Sequence, residues 1–436
     1  MFMKQATLKR KGFGAAENKK SYAQHTDSSD KQAPSGKKGS LWQYLALATI
    51  PLVLVLGNSM LVPVLPDMQD NMHISRFQSS LVITLFSLSA GIIIPVSGYL
   101  SDRFTRKAVI IPSLIVYGAA GILAGLGAVW SSYGILITAR ALQGLGAAGT
   151  APIAMALVGD IYKGGEASKA LGLIEASNGI GKVVSPILGS LLALLTWFAP
   201  FFAFPVFCLL ALLAVIFMIK EPAKDKEAEP LKQYLKEIKS ILGQKGHWLL
   251  PAFFAGAVTL FILFGVLFYL SQILEEKPYN IDGVKKGLLL AIPLLCLVIT
   301  SYTTGAKIKQ NGTLMRILMN VGLGLMIVSL TCAIFANGKL ALLIGLLSLS
   351  GIGTGLLLPC LNTLITGSVK RDQRGMITSL YNSLRFIGVA FGPPLFGWLM
   401  NKSHMTLFTT VVCLSALMLA LVFFFIKPPA QLKQEA

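Results

Sequence analysis

The sequence predicts an all-α membrane protein of twelve transmembrane helices in two pseudo-symmetric six-helix bundles, and three observations lead there. Of its 436 residues, 54% are hydrophobic and only 13% charged, against roughly 25% charged in soluble domains. Apolar runs such as LWQYLALATIPLVLVLGNSMLVPVLP and MTLFTTVVCLSALMLALVFFFI recur, each near or above the roughly 20 residues that cross a bilayer core as a helix. Gly98, Gly144, Gly146, Pro152, Lys163, Gly181 and Pro186 return as Gly305, Gly351, Gly353, Pro359, Lys370, Gly388 and Pro393, each 207 positions later with no gap. One offset held across four helices marks two parallel repeats related by an axis along the membrane normal.

In chain order, residues 1–40 are polar and basic and are expected to form a disordered cytoplasmic tail. The apolar run that follows is too long for a cleavable signal and leads into further spans, so it reads as a retained first helix. Charged or Gly/Pro-rich breaks then divide the chain into helices at about 43–66, 77–100, 108–129, 133–158, 169–194, 198–220, 247–272, 286–304, 314–336, 339–366, 376–400 and 404–427. The expected domains are a bundle over 41–220, a cytoplasmic linker over 221–246, a second bundle over 247–427 and a short tail over 428–436. Within the linker, LKQYLKEIKSIL is amphipathic enough to lie on the membrane surface, the alternative being a solvated connection.

The net charge of +19 sits in tails and in every second connection: Lys9 to Lys20, Arg103 to Lys107, Lys163, Lys220 to Lys245, Lys307 and Lys309, Lys370 to Arg374, Lys427. That alternation places both termini in the cytoplasm. It gives no basic helical face with interleaved aromatics, so no nucleic-acid partner is expected. The five cysteines lie inside apolar runs without CxxC spacing or a His pair, and read as small hydrophobes with no metal site. Neither a phosphate-binding G-x-x-x-x-G-K-[ST] nor a nucleophile elbow is present, so neither enzymatic activity nor a cofactor is expected. Asp67 and Asp70 in DMQD are too isolated a pair to argue for a membrane enzyme holding a metal and a lipid diphosphate.

Ionisable residues within spans carry the functional reading. A cation near the bilayer centre costs roughly 2.5–3.5 kcal/mol on insertion scales, so Lys182 must face protein or a wet cavity. Glu175, Asn178, Lys182 and Ser185 follow i, i+3, i+7, i+10 spacing and share one helical stripe. Glu175 and Lys182 stand about 10 Å apart along the axis, too far for a direct pair. The offset supplies partners: Asn382 and Arg385 occupy the equivalent stripe of the eleventh helix, and Glu175 and Arg385 are expected to face each other across a central cavity. The alternative is that Arg385 faces a helix of its own half. Asn58 on the first helix is a further candidate for the cavity wall. Three embedded cations, Arg140, Lys182 and Arg385, against the single acid Glu175 favour anionic or strongly dipolar amphiphiles.

Several segments carry a family resemblance. GYLSDRFTRK (Gly98 to Lys107) resembles the cytoplasmic loop signature of the major facilitator superfamily, with Thr105 where that pattern has glycine. LGNSMLVPVLP (Leu56 to Pro66), RALQGLGAAG (Arg140 to Gly149) and GKVVSPILGS (Gly181 to Ser190) resemble signatures of its twelve-helix drug:proton antiporters, echoed in GVAFGPPLFG (Gly388 to Gly397). Ser185 departs from the usual glycine before proline. The resemblance implies a cytoplasmic gate at Gly98, Asp102, Arg103, Arg106 and Lys107, with Asp102 able to dock on the N-terminal end of a neighbouring helix. It implies helix packing and kinks at Gly181, Ser185, Pro186, Gly189, Gly388, Gly392 and Pro393. It also gives Arg140 a place in proton coupling, a structural arginine bonded to carbonyls being the alternative. The expected function is proton-coupled export of amphiphilic or aromatic drug-like compounds by a monomer, alternating access across a bacterial plasma membrane. Its partners are the small-molecule substrate, protons and membrane lipids. A lipid or glycolipid flippase and a solute symporter of the same fold are the alternatives.

Overall fold

The computed structural model describes residues 41–162, 164–221, 230–308, 311–336, 338–369 and 373–429. The N-terminal tail over 1–40, the last residues of the C-terminal tail, much of the linker and the repeat pair Lys163 and Lys370 therefore lie outside the described residues. Among the described residues the chain is helical and without strands. The first span is α1 (Leu41–Ser59), a 3-10 turn (Val62–Val64) and α2 (Leu65–Met72). Then come α3 (Arg76–Arg103), α4 (Arg106–Val129), α5 (Tyr133–Ala148) with α6 (Ala151–Ile161), α7 (Gly164–Ala193) and α8 (Ala199–Met218). The second set is α9 (Leu231–Glu275), α10 (Gly283–Ile308), α11 (Gly312–Ile334), α12 (Leu340–Gly367), α13 (Arg374–Met400) and α14 (His404–Phe425). Eleven of these spans are long and apolar enough to cross a membrane; α7 is the exception because Asn178 and Lys182 dilute its apolar stretch. An even number of crossings puts Leu41 and Phe425 on one face, termed proximal here; the other is distal.

Local sequence explains where the spans begin and break. Ser75 accepts from Gln78 N (3.2 Å) while Gln78 Oε1 accepts from Ser75 N (2.8 Å), a reciprocal cap that starts α3. Thr105, Asn311 and Ser403 cap α4, α11 and α14 with side-chain oxygens on N–H groups of the first turn. The first span is not the single helix expected, because Pro63 and Pro66 lack donors for a regular ladder and the chain passes through a 3-10 turn. The fourth breaks between Ala148 and Ala151, with Pro152 tolerated in the first turn of α6. The largest departure is α9, 45 residues long, in which the amphipathic linker segment runs on continuously into the seventh span. Tyr234 of that extension packs on Tyr99 of α3, ring centroids 5.2 Å apart, and Lys245 Nζ donates to Ser368 O at 2.6 Å.

The repeat is visible in the packing. Contacts of α4 with α5, α4 with α8, α3 with α5 and α1 with α7 correspond in turn to those of α11 with α12, α11 with α14, α10 with α12 and α9 with α13. The two seams between the sets, α3 with α13 and α10 with α7, are each other's counterparts. Atomic detail follows the same offset. A Cβ on Gly144 would lie 2.2 Å from the Phe86 carbonyl, and one on the equivalent Gly351 2.6 Å from the carbonyl of Pro293, itself 207 positions after Phe86. Glycine at these sites lets backbones touch where any side chain would hold them apart.

Gly144→Ala must therefore push α5 from α3 and is expected to cost roughly 1–3 kcal/mol by overpacking. Gly134→Ala, on the same helix with open space around it, is expected to leave stability unchanged or raised. Thermal unfolding of the two variants in detergent checks the contrast.

Candidate functional site

The polar stripe of α7 and its counterpart on α13 show the same gradient of exposure. On α7, Glu175 is exposed, Asn178 and Lys182 are half-buried, and Ser185 and Gly189 are buried. On α13, Gly375 is exposed, Thr378, Asn382 and Arg385 are half-buried, and Val389 and Gly392 are buried. Both stripes are thus accessible toward the proximal face and sealed toward the distal one. Lys182 lies within electrostatic reach of Arg385, which repels it, and of Glu175, which attracts it. Arg385 Nη1 donates to Asn382 Oδ1 at 3.2 Å and its guanidinium carbon sits 5.3 Å from the Tyr381 ring centroid. Its Nε is buried without an acceptor. Among the described residues neither Lys182 nor Glu175 makes a hydrogen bond or ion pair, and none joins Glu175 to Arg385. Two shallow apolar grooves of about 530 and 450 Å3 lie elsewhere, and neither touches the stripe.

Arg140 and Asn58 are not brought to this place. Arg140 is fully enclosed by its own set of helices, where Nε donates to Val82 O (2.9 Å), Nη2 to Gly57 O (3.1 Å) and Asn58 Oδ1 (3.4 Å), and Nη1 to Gln143 Oε1. Its guanidinium carbon lies 4.4 Å from the Phe86 ring centroid. The break after α1 prepares this site: Leu61 N–H bonds to the Asn58 carbonyl (3.3 Å), and the Gly57 carbonyl turns to the arginine. Asn58 Nδ2 in turn donates to Ser87 Oγ at 2.9 Å. A cation so surrounded is held by dipoles rather than by an acid.

The packing residues lie at close approaches. Gly181 faces Leu52 of α1, Gly189 the Met60 carbonyl, Gly388 the Ala257 carbonyl and Gly392 that of Phe261. Ser185, in place of the motif's glycine, turns its hydroxyl back to Gly181 O at 2.5 Å, while Pro186 and Pro393 interrupt their helices' donors.

On the proximal face, Arg106 pairs with Asp102 at 2.5 Å and with Asp160 of α6 at 2.8 Å, and donates to Ser101 Oγ at 2.7 Å. Lys107 Nζ caps the end of α8 through Ile216 O and Ile219 O, and Arg103 reaches the Tyr99 hydroxyl at 3.4 Å. The carboxylate seated on the N-terminus of α4 is Glu221, which accepts from Arg106 N (2.5 Å) and Lys107 N (3.0 Å). An acid there complements the helix dipole and orphan N–H groups. Thr105 explains itself as the cap of α4. Sequence reasoning did not single out Glu221 or Asp160; an acid immediately after the sixth span was the available sign.

The two seams differ at their proximal ends. Between α3 and α13, Thr84 Oγ1 donates to Ala390 O (2.7 Å), Ser383 Oγ to Gly91 O (2.5 Å), and a Cβ on Gly98 would meet Ser379 Oγ at 2.7 Å. Between α7 and α10 the backbones touch distally, where a Cβ on Gly287 would lie 2.7 Å from Pro186 O, and midway the Val298 side chain lies against Gly179, 2.8 Å from where its Cβ would be. Proximally, a Cβ on Gly172 or Gly305, the counterparts of Ser379 and Gly98, would meet nothing within 4 Å among the described residues. The first seam is closed at this level and its twin is open around these two glycines.

Membrane-spanning sets of helices that meet in a half-sealed ionic stripe define a transporter rather than an enzyme. The chain belongs to the Major Facilitator Superfamily, whose family model matches residues 47–316 and 278–436. It is 45% identical over 384 residues to the bacillibactin exporter of Bacillus subtilis (strain 168), covering 87% of this chain and 95% of that relative. It is 29% identical to the multidrug efflux protein YfmO of the same organism, covering 83% and 86%. Among solved structures, a D-xylose-proton symporter superposes with a TM-score of 0.71 at 14% identity, covering 91% of this chain and all of that one, 100%. A bacterial homolog of the human lysosomal transporter Spinster, inward-facing and unoccupied, gives 0.69 at 16% identity, covering 88% and 96%.

Arg140→Met is expected to leave several buried oxygens unsatisfied and to lower stability by roughly 2–4 kcal/mol, with Arg140→Lys intermediate because an ammonium lacks the planar fork. Thermal unfolding in detergent, with and without a bound ligand, measures both.

Proposed function

We propose that the chain is a proton-coupled exporter of an amphiphilic compound, bacillibactin or a molecule of similar polarity, working by alternating access with the proximal face in the cytoplasm of a bacterium. The observation that carries this reading is the stripe in which Lys182 of α7 lies within reach of both Glu175 and Arg385 of α13, open proximally and sealed distally. Supporting it are the 45% identity to a bacillibactin exporter and the further likeness to a multidrug efflux protein. Two cations against one acid suit a substrate with anionic or carbonyl oxygens at one end.

Coupling follows if the other end donates hydrogen bonds to ionised Glu175. A proton on Glu175 and a donor group of the substrate then exclude each other, so that substrate leaves as a proton arrives. Protonation also removes the attraction that Lys182 feels, leaving Lys182 and Arg385 to repel across the two sets and biasing the equilibrium between states. A wholly anionic substrate without donors would instead bind better to the protonated site, which is the behaviour of a symporter.

Inverted membrane vesicles with an acid interior test the reading. Substrate is expected to accumulate inside them in proportion to the pH gradient, and Glu175→Gln is expected to abolish that accumulation while sparing counterflow exchange. Accumulation driven by the opposite gradient would make the chain a symporter, and unchanged coupled transport in Glu175→Gln would remove that residue from the mechanism.

A further inference from the structure

Charged residues gather on the distal face where the two sets of helices touch, and neither the stripe nor the proximal loop accounts for them. Arg76 at the start of α3 forms an ion pair with Glu276, just past the end of α9, and so joins the first set to the second. Lys286 of α10 is only 1% exposed and pairs with Glu275 of α9. Asp67 of α2, from the first set, lies within electrostatic reach of that same lysine, which attracts it, while Asp67 and Asp70 both repel Glu275.

Backbone contact brings these groups together. Gly287, next to Lys286, rests on α7, with the Pro186 carbonyl and Ser190 Oγ each 2.7 Å from where its Cβ would be. Close by, Ser271 Oγ of α9 donates to Val62 O in the 3-10 turn of the first span at 2.8 Å. An enclosed ammonium needs compensating charge, and here that charge comes from both sets. Parting the sets on this face would strip Lys286 of Asp67 and break Arg76 from Glu276.

The geometry points to a distal gate held by ions: the Arg76–Glu276 pair across the two sets, beside the enclosed Lys286–Glu275 pair of the second set, keeps the distal face closed while the proximal face is open, and must release before substrate can leave. Of the DMQD acids, Asp67 is the one attracted to the second set, through Lys286. The inference rests on alternating access, but on neither the identity of the substrate nor proton coupling.

Spin labels at Asn71 and Lys285, both exposed on the distal face, report the separation of the two sets in a cysteine-free background reconstituted in lipid. Wild-type protein is expected to show one short distance. Arg76→Glu places two acids together and should shift the distribution toward a longer separation, as should Lys286→Met, which leaves Glu275 and Asp67 unopposed. Combining Arg76→Glu with Glu276→Arg should restore the short distance. A folded Arg76→Glu or Lys286→Met protein that loses thermal stability but keeps the wild-type distance would overturn the gate, as would a charge swap that fails to restore it. Should Arg76→Glu not fold, Lys286→Met and the swapped pair decide the matter alone.

Discussion

A full charge placed within the span of a bilayer must be answered by something, and this protein answers it in two opposite ways. Arg140 is surrounded by carbonyl and amide oxygens of its own set of helices, so each guanidinium nitrogen has a partner that moves with it. Lys182 makes no hydrogen bond among the described residues; Glu175 on its own helix attracts it, while Arg385 of the other set repels it. The first arrangement is static and welds α1, α3 and α5 into one body. The second leaves Lys182 subject to a charge carried by the other set of helices. Embedded ions differ in consequence according to whether their partners belong to the same rigid body.

Duplication supplies the frame for that distinction. Because the packing of one set recurs in the other, a symmetric molecule would have two equal seams, closed or open alike. The observed departure lies at the proximal ends, where Gly98 touches Ser379 while Gly305 and Gly172 stand clear. Small residues on both seams keep the barrier between arrangements low, because glycine backbones slide without side chains that interlock. The asymmetry coincides with a difference between the repeats, since Ser379 of one seam stands where the other has Gly172.

Much of this was legible in the chain. The spans followed from apolar length and charged breaks, and the constant offset put Asn382 and Arg385 at the depth of Glu175 and Asn178, because helical rise converts sequence spacing into depth; the expected facing of Glu175 and Arg385 is not among the bonds of the described residues. What stayed hidden depended on partners far apart in sequence. Nothing local says that Gly57 O will turn to Arg140, that Glu221 will sit on the first turn of α4, or that Lys286 will be enclosed rather than snorkel to the interface. The length of α9 was hidden for another reason: a charged, amphipathic stretch followed by Gly243, Gly246 and Pro251 reads as a connection by composition, yet tertiary contacts through Tyr234 and Lys245 hold it in register with the span that follows.

That continuous helix carries a mechanical implication. At 1.5 Å per residue it extends on the order of 70 Å, anchored near one end by an aromatic contact to the opposite set and ending beside Glu276 at the other. A body of that kind behaves as a lever whose fulcrum is the midplane packing against α13. A tug on its proximal arm would arrive at the far side as a displacement of opposite sign, which makes the joint between the two repeats a handle on the distal face.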